Sequence, residues 1–86
     1  MNPLLQESAE EELAHALDIS WAALAKSVPW GDTYVGVAKD GREVEFERRY
    51  LWATQEGGDI LVEVTVFAGQ TRYEQGGKAE GVIARP

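Results

Sequence analysis

The apolar residues of this chain change their period once. Leu13, Leu17, Trp21, Leu24 and Val28 recur at helical spacing, with Ala16 and Ser20 on the same side. That is the stripe of an amphipathic helix facing a core. Ser8 and Glu11 fit the S-x-x-E capping box, in which each side chain satisfies a free backbone N–H. Glu10, Glu11 and Glu12 suit the positive end of a helix dipole. Pro29 restricts Val28 and ends the run. The pattern predicts one helix over about residues 9–27, preceded by a flexible arm at 1–7. Asp18-Ile19-Ser20 offers a second helix start at Trp21, but the stripe passes through it in phase and favours a continuous helix.

From Thr33 the period becomes two, which is the signature of half-buried strands. Asp40-Gly41 reads as a two-residue hairpin turn. That turn would pair Val37 with Val44 and Val35 with Phe46, with all four facing the core. The second strand, from about Arg42 to Thr54, begins with Glu43, Glu45 and Glu47 outward. A Gly57-Gly58 turn would pair Leu51 with Val64 and Ala53 with Val62. Leu51 then has the wrong parity for the face of Val44 and Phe46. Side chains alternate strictly along a strand, so the clash predicts a β-bulge near Arg48-Arg49. The competing reading is a regular, two-sided sheet with Phe46, Tyr50 and Trp52 on a second buried face. Ala68-Gly69-Gln70 reads as a third turn and Thr71–Glu74 as a short last strand, with Tyr73 opposite Val66 and Gly76-Gly77 as its stop. The tail 78–86 is a short edge strand or a mobile end. The expected fold class is α+β: one N-terminal helix packed on an antiparallel β-meander of three to four strands, a two-layer α/β sandwich formed by a single domain at 8–86.

The chain has 86 residues and no cysteine. Disulfides and thiol chemistry are therefore excluded. No apolar run is long enough for a membrane helix, and the N-terminus lacks the basic and apolar regions of a signal peptide. A cytoplasmic protein is expected. The formal net charge of −7 disfavours direct contact with nucleic acid or an anionic membrane, because both need clustered Lys and Arg. It admits a basic protein partner.

Chemistry is sparse. His15 is the only histidine, and Glu11, Glu12 and Asp18 flank it on the expected helix. One imidazole among surface carboxylates falls short of a closed ligand set, so no metal or cofactor is expected. The serines lie on the helix or its ends, and neither glycine pair has the setting of a phosphate loop. No acid, base and nucleophile set can be assembled, and catalysis is not expected. The aromatics are more informative. If the bulge exists, Tyr34, Tyr50 and Trp52 share the outward sheet face beside Arg48 and Arg49. Tyr and Trp favour interfaces because they bury much area and still satisfy a polar tip. The expected function is a non-catalytic interaction or assembly module, self-associating as a homodimer through that aromatic face or an edge strand. A second expectation is an acidic inhibitor that mimics nucleic-acid charge toward a basic protein. It would use Glu7, Glu10, Glu11, Glu12 and Asp18 along the helix, with Glu43, Glu45 and Glu47 nearby. A third is a small-ligand binder that stacks its ligand on Trp30, Tyr50 and Trp52.

Overall fold

A computed structural model describes residues 3–68 and 75–86. Two helices precede four strands: α1 (Pro3–Leu17), α2 (Trp21–Ala25), β1 (Gly31–Val37), β2 (Glu43–Trp52), β3 (Ile60–Phe67) and β4 (Gln75–Ile83). The strands form one antiparallel sheet in the order β1-β2-β3-β4. The helices pack on one face of it, with α1 on β3 and β4 and α2 on β3. This is the expected α+β layout.

The helix is longer at its start and broken near its end. Pro3–Glu7 belong to α1 rather than to a loose arm, and Leu5 is fully buried; Met1 and Asn2 lie outside the described residues. Ser8 is therefore inside the helix and caps nothing. Its hydroxyl donates to Leu4 O at 3.0 Å and accepts from Lys39 N–H at 3.0 Å, which ties α1 to the end of β1. The continuous helix over 9–27 is not formed. Ile19 N–H donates to Ala16 O at 3.1 Å, a tightened last turn, and Ser20 is extended with φ −65° and ψ 149°. Its hydroxyl accepts from Ala23 N–H at 3.2 Å and starts α2. A serine hydroxyl satisfies an orphan N–H at a helix start, and here that preference outweighs the in-phase stripe.

The first hairpin sets the faces of the sheet. Ala38 N–H donates to Arg42 O at 2.8 Å, and Gly41 N–H to Ala38 O at 2.9 Å. Lys39, Asp40 and Gly41 thus form the loop. Only Gly41 takes positive φ, at 87°, whereas a two-residue type I′ turn would need it at Asp40 as well. The extra loop residue moves the register by one. Val37 faces Glu43, Gly36 faces Val44 and Tyr34 faces Phe46. A one-residue slip sends every side chain to the opposite face. Val35 and Val37 therefore leave the core, and Tyr34 joins the helix side.

No bulge occurs at Arg48-Arg49. β2 pairs with β3 without interruption, from Glu45 opposite Phe67 to Trp52 opposite Ile60. The parity clash came from the assumed Gly57-Gly58 turn. Ala53 N–H instead donates to Asp59 O at 2.8 Å, which closes a longer loop and sets Leu51 against Leu61. The competing reading of a regular β2 with Phe46, Tyr50 and Trp52 on one face is the observed one. They meet Ile60, Val62 and Val66 across the ladder, and this face is the core. The register shift in the sheet lies between Val66 and Phe67, against β4.

β4 continues through Gly76-Gly77, which do not stop it, and takes in residues 78–83 of the tail as an edge strand. The helix requires those glycines. A Cβ on Gly76 would sit 2.3 Å from Leu5 Cδ1, and one on Gly77 would sit 2.5 Å from Leu5 O. The turn at Gly69-Gln70 and the strand at Thr71–Glu74, with Tyr73, lie outside the described residues.

Candidate interaction surface

The residues expected to form an aromatic outer face do not share one. Tyr50 is 3% exposed and belongs to the core. Trp52 is half-buried, with its ring 6.3 Å from that of Trp21. Tyr34 stacks on Phe46 at 5.4 Å on the helix side. Trp30 is 75% exposed while Tyr50 is buried in the core, so the three rings do not line one accessible stacking pocket. The register slip and the regular β2 together account for the change. Arg49 is the one member of the set on the outer face, where its guanidinium lies 3.8 Å from Glu63.

Arg48 points inward instead and ends in a polar lock between sheet and helix. Its guanidinium and the Tyr34 hydroxyl both donate to Glu12 Oε1. Arg48 also reaches Tyr50 Oη at 3.5 Å, and Tyr50 reaches Asp32 Oδ2 at 3.4 Å. Burial pushes the Glu12 carboxyl up, but the bonds from Tyr34 and Arg48 outweigh it and hold the carboxyl below its ordinary value. Burial and the Glu12 bond push the Tyr34 hydroxyl up to about 12. These groups are already satisfied by one another, apart from the buried Arg48 Nε. His15 Nδ1 lies 3.8 Å from Glu12 Oε2 and is exposed. Among the described residues no group of His, Asp and Glu is arranged to hold a metal ion. A cleft of about 280 Å³ opens beside the lock, between α1 and β1, over Gly36 and Phe46.

The acidic residues divide between two sides. Glu7, Glu10, Glu11, Glu12 and Asp18 follow α1, while Glu43, Glu45 and Glu47 lie on the face that the helices leave open. They do not form one surface. Two on the helix are also engaged: Glu12 in the lock, and Glu11 with Lys39 Nζ at 2.6 Å. On the open face Glu63 and Glu80 join the β2 glutamates, against Arg49 and Lys78 among the described residues.

The two sheet edges are treated differently. On β4, Gln6 Nε2 donates to Lys78 O at 2.7 Å, and Lys78 N–H donates to Gln6 Oε1 at 3.0 Å. A side-chain amide of α1 thus stands in for a neighbouring strand. Lys78 and Glu80 add charge there, and the register shift interrupts the ladder. Edge strands are commonly protected in these ways. Among the described residues nothing comparable covers Val35 and Val37 of β1. Because Ala38 and Arg42 form a hydrogen-bonded pair, alternation turns the N–H and C=O of Val35 and Val37 away from β2. No described strand pairs with that edge. Val35 and Val37 are 64% and 71% exposed. Sequence reasoning placed both in the core. The signal that could have found them was the turn, since a three-residue loop ending in Gly41 was equally compatible with Lys39-Asp40-Gly41.

No family model, curated protein or solved structure matches this chain. Among the described residues no helix is long and apolar enough to cross a membrane.

Proposed function

We propose that this chain is a non-catalytic protein-interaction module that engages its partner through the β1 edge and the adjoining open sheet face. The observation that carries the reading is the contrast between the edges. Gln6 covers the backbone of β4, whereas β1 presents the outward amides and exposed side chains of Val35 and Val37. An added strand satisfies such amides and takes its specificity from the alternate side chains. Amide hydrogen exchange tests the reading in the purified chain and in assemblies isolated under native conditions. Slow exchange at Val35 and Val37 in an assembly supports it. Rapid exchange at both in every assembly removes it.

The open face also supports a second reading, the capture of a basic protein. Among the described residues Glu43, Glu45, Glu47, Glu63 and Glu80 outnumber Arg49 and Lys78 there, with Glu45 and Glu47 holding partners of their own and Glu63 lying near both cations. The helix carboxylates lie on the other side of the sheet and do not extend this surface. Binding of that kind weakens steeply with salt, because exposed charges are screened beyond ~8 Å at physiological ionic strength. Affinity that is unchanged between low and high salt would exclude it.

A further inference from the structure

We infer that the occupant of the β1 edge is a second copy of this chain, paired antiparallel about a two-fold axis at Val35, giving one continuous sheet across two molecules. The inference rests on the reading of β1 as an interaction edge and names its partner.

The first argument is self-complementarity. A two-fold contact brings the same patch of both subunits together. Pairing Val35 with Val35 of the second copy uses the outward N–H and C=O of both. It sets Val37 opposite Thr33 of the second copy, so the exposed valines become neighbours on one face. On the other face Tyr34 lies beside Gly36 of the second copy, the position in β1 where an added Cβ would come within 2.8 Å of the Phe46 ring. The strand interior therefore offers no bulky side chain against Tyr34.

The second argument is charge. Asp32 lies near one end of β1, and Lys39 follows the other end. Antiparallel pairing about Val35 sets Asp32 opposite Ala38 of the second copy, next to its Lys39. Opposite charges thus approach at both ends, by symmetry, each beside a partner in its own subunit: Lys39 beside Glu11 and Asp32 beside Tyr50. The acidic stripes do not oppose the contact. The β2 strands of the two copies would lie three strand spacings apart, about 14 Å at ~4.8 Å per spacing. That exceeds the ~8 Å screening length of physiological salt.

The third argument concerns the alternative edge. A sheet can extend through β4 only by displacing Gln6 from both of its bonds to Lys78. Extension through β1 displaces no described strand.

The chain has no cysteine, so single-cysteine variants report unambiguously. In the proposed pairing the Cα atoms of residue 35 in the two copies are ~5.5 Å apart, the spacing of a hydrogen-bonded antiparallel pair. Val35→Cys should therefore form a covalent dimer in high yield with a short thiol cross-linker. Val37→Cys should not, because its two copies are offset by four residues, about 13 Å along the strand. Sedimentation equilibrium of the unmodified chain should approach twice the 9.5 kDa monomer mass as concentration rises. Val35→Lys places like charges on the axis and should hold the chain at monomer mass. Val35→Pro removes only an outward N–H and should do the same. Circular dichroism checks that both variants keep their helix and strands, and one folded variant suffices. An unmodified chain that stays monomeric at its solubility limit overturns the inference. So does a dimer that survives Val35→Lys, or one that cross-links at residue 37 and not at 35. If the chain is monomeric but Val35 and Val37 become protected with a different protein, the second copy is excluded while the broader reading of the edge survives.

Discussion

Glu12 shows how one helical carboxylate can hold a sheet to its helix. The guanidinium of Arg48 and the hydroxyl of Tyr34 converge on its Oε1. A partly buried carboxylate with two donors favours its ionised form, and the Glu12 carboxyl is accordingly held low. A depressed folded-state pKa stabilises the fold above the unfolded value, and that contribution is lost as pH falls through the folded value. The urea midpoint should therefore fall as pH drops through and below the ordinary glutamate value of 4.5, and Glu12→Gln should flatten this acid limb while lowering the midpoint at neutral pH. An unchanged acid limb would mean that other carboxylates govern it. Tyr34 carries the opposite sign. Its hydroxyl is raised from 10.0 to about 12, so its contribution is complete below pH 10 and disappears as pH rises through about 12. His15, by contrast, is exposed and its removal should shift stability by no more than about 0.5 kcal/mol.

At the level of elements, α1 meets the sheet over glycine. The Leu5 side chain lies against Gly76 and its carbonyl against Gly77, and its burial is complete. Leu5→Ala should cost about 2–5 kcal/mol, from lost transfer energy and the cavity left behind. The glycines separate two kinds of clash. An added Cβ at Gly76 meets the Leu5 side chain, whereas one at Gly77 meets the Leu5 carbonyl. Gly76→Ala should therefore be partly relieved by Leu5→Ala, with a combined loss smaller than the sum. Gly77→Ala should cost about 3 kcal/mol or more, since overpacking a site that cannot yield lies at the upper end of such effects, and Leu5→Ala should not rescue it. Urea melts of the single and double variants measure both couplings. Strict additivity in the Gly76 pair would show that α1 shifts away from β4 as a unit.

Across the whole molecule, the last strand completes the core. Ala79 and Ile83 pack against the buried cluster, and Gly81 lies under Leu13 and Leu17. A domain of this size keeps a margin of only about 5–15 kcal/mol. A chain ending at Gly77 should lose its cooperative thermal transition in circular dichroism. A melt within a few degrees of the full chain would show that residues 78–86 are dispensable after all. The same arrangement leaves the two edges unequal. Both helices pack chiefly on the β3–β4 side, and Gln6 bonds the β4 backbone, while α1 meets β1 through side chains on its inner face.

The helix-then-meander order and the α+β class were legible in the sequence, because period and turn residues act locally; a sheet of three to four strands was expected, and β4 lies later in the chain than the expected last strand. The aliphatic face of Ile60, Val62, Val64 and Val66 was legible for the same reason. Register was not. Asp40-Gly41 and Gly57-Gly58 each admit more than one loop length, and a slip of one residue turns a strand over. That ambiguity exchanged Val35 and Val37 for Tyr34, and it placed Tyr50 and Trp52 outside on paper while the sheet holds them within. The helix break at Ser20 depended on a competition between a cap and a stripe that local pattern alone could not rank. The protection of β4 by Gln6 joins residues far apart in the chain, and only the tertiary structure brings that amide to that edge.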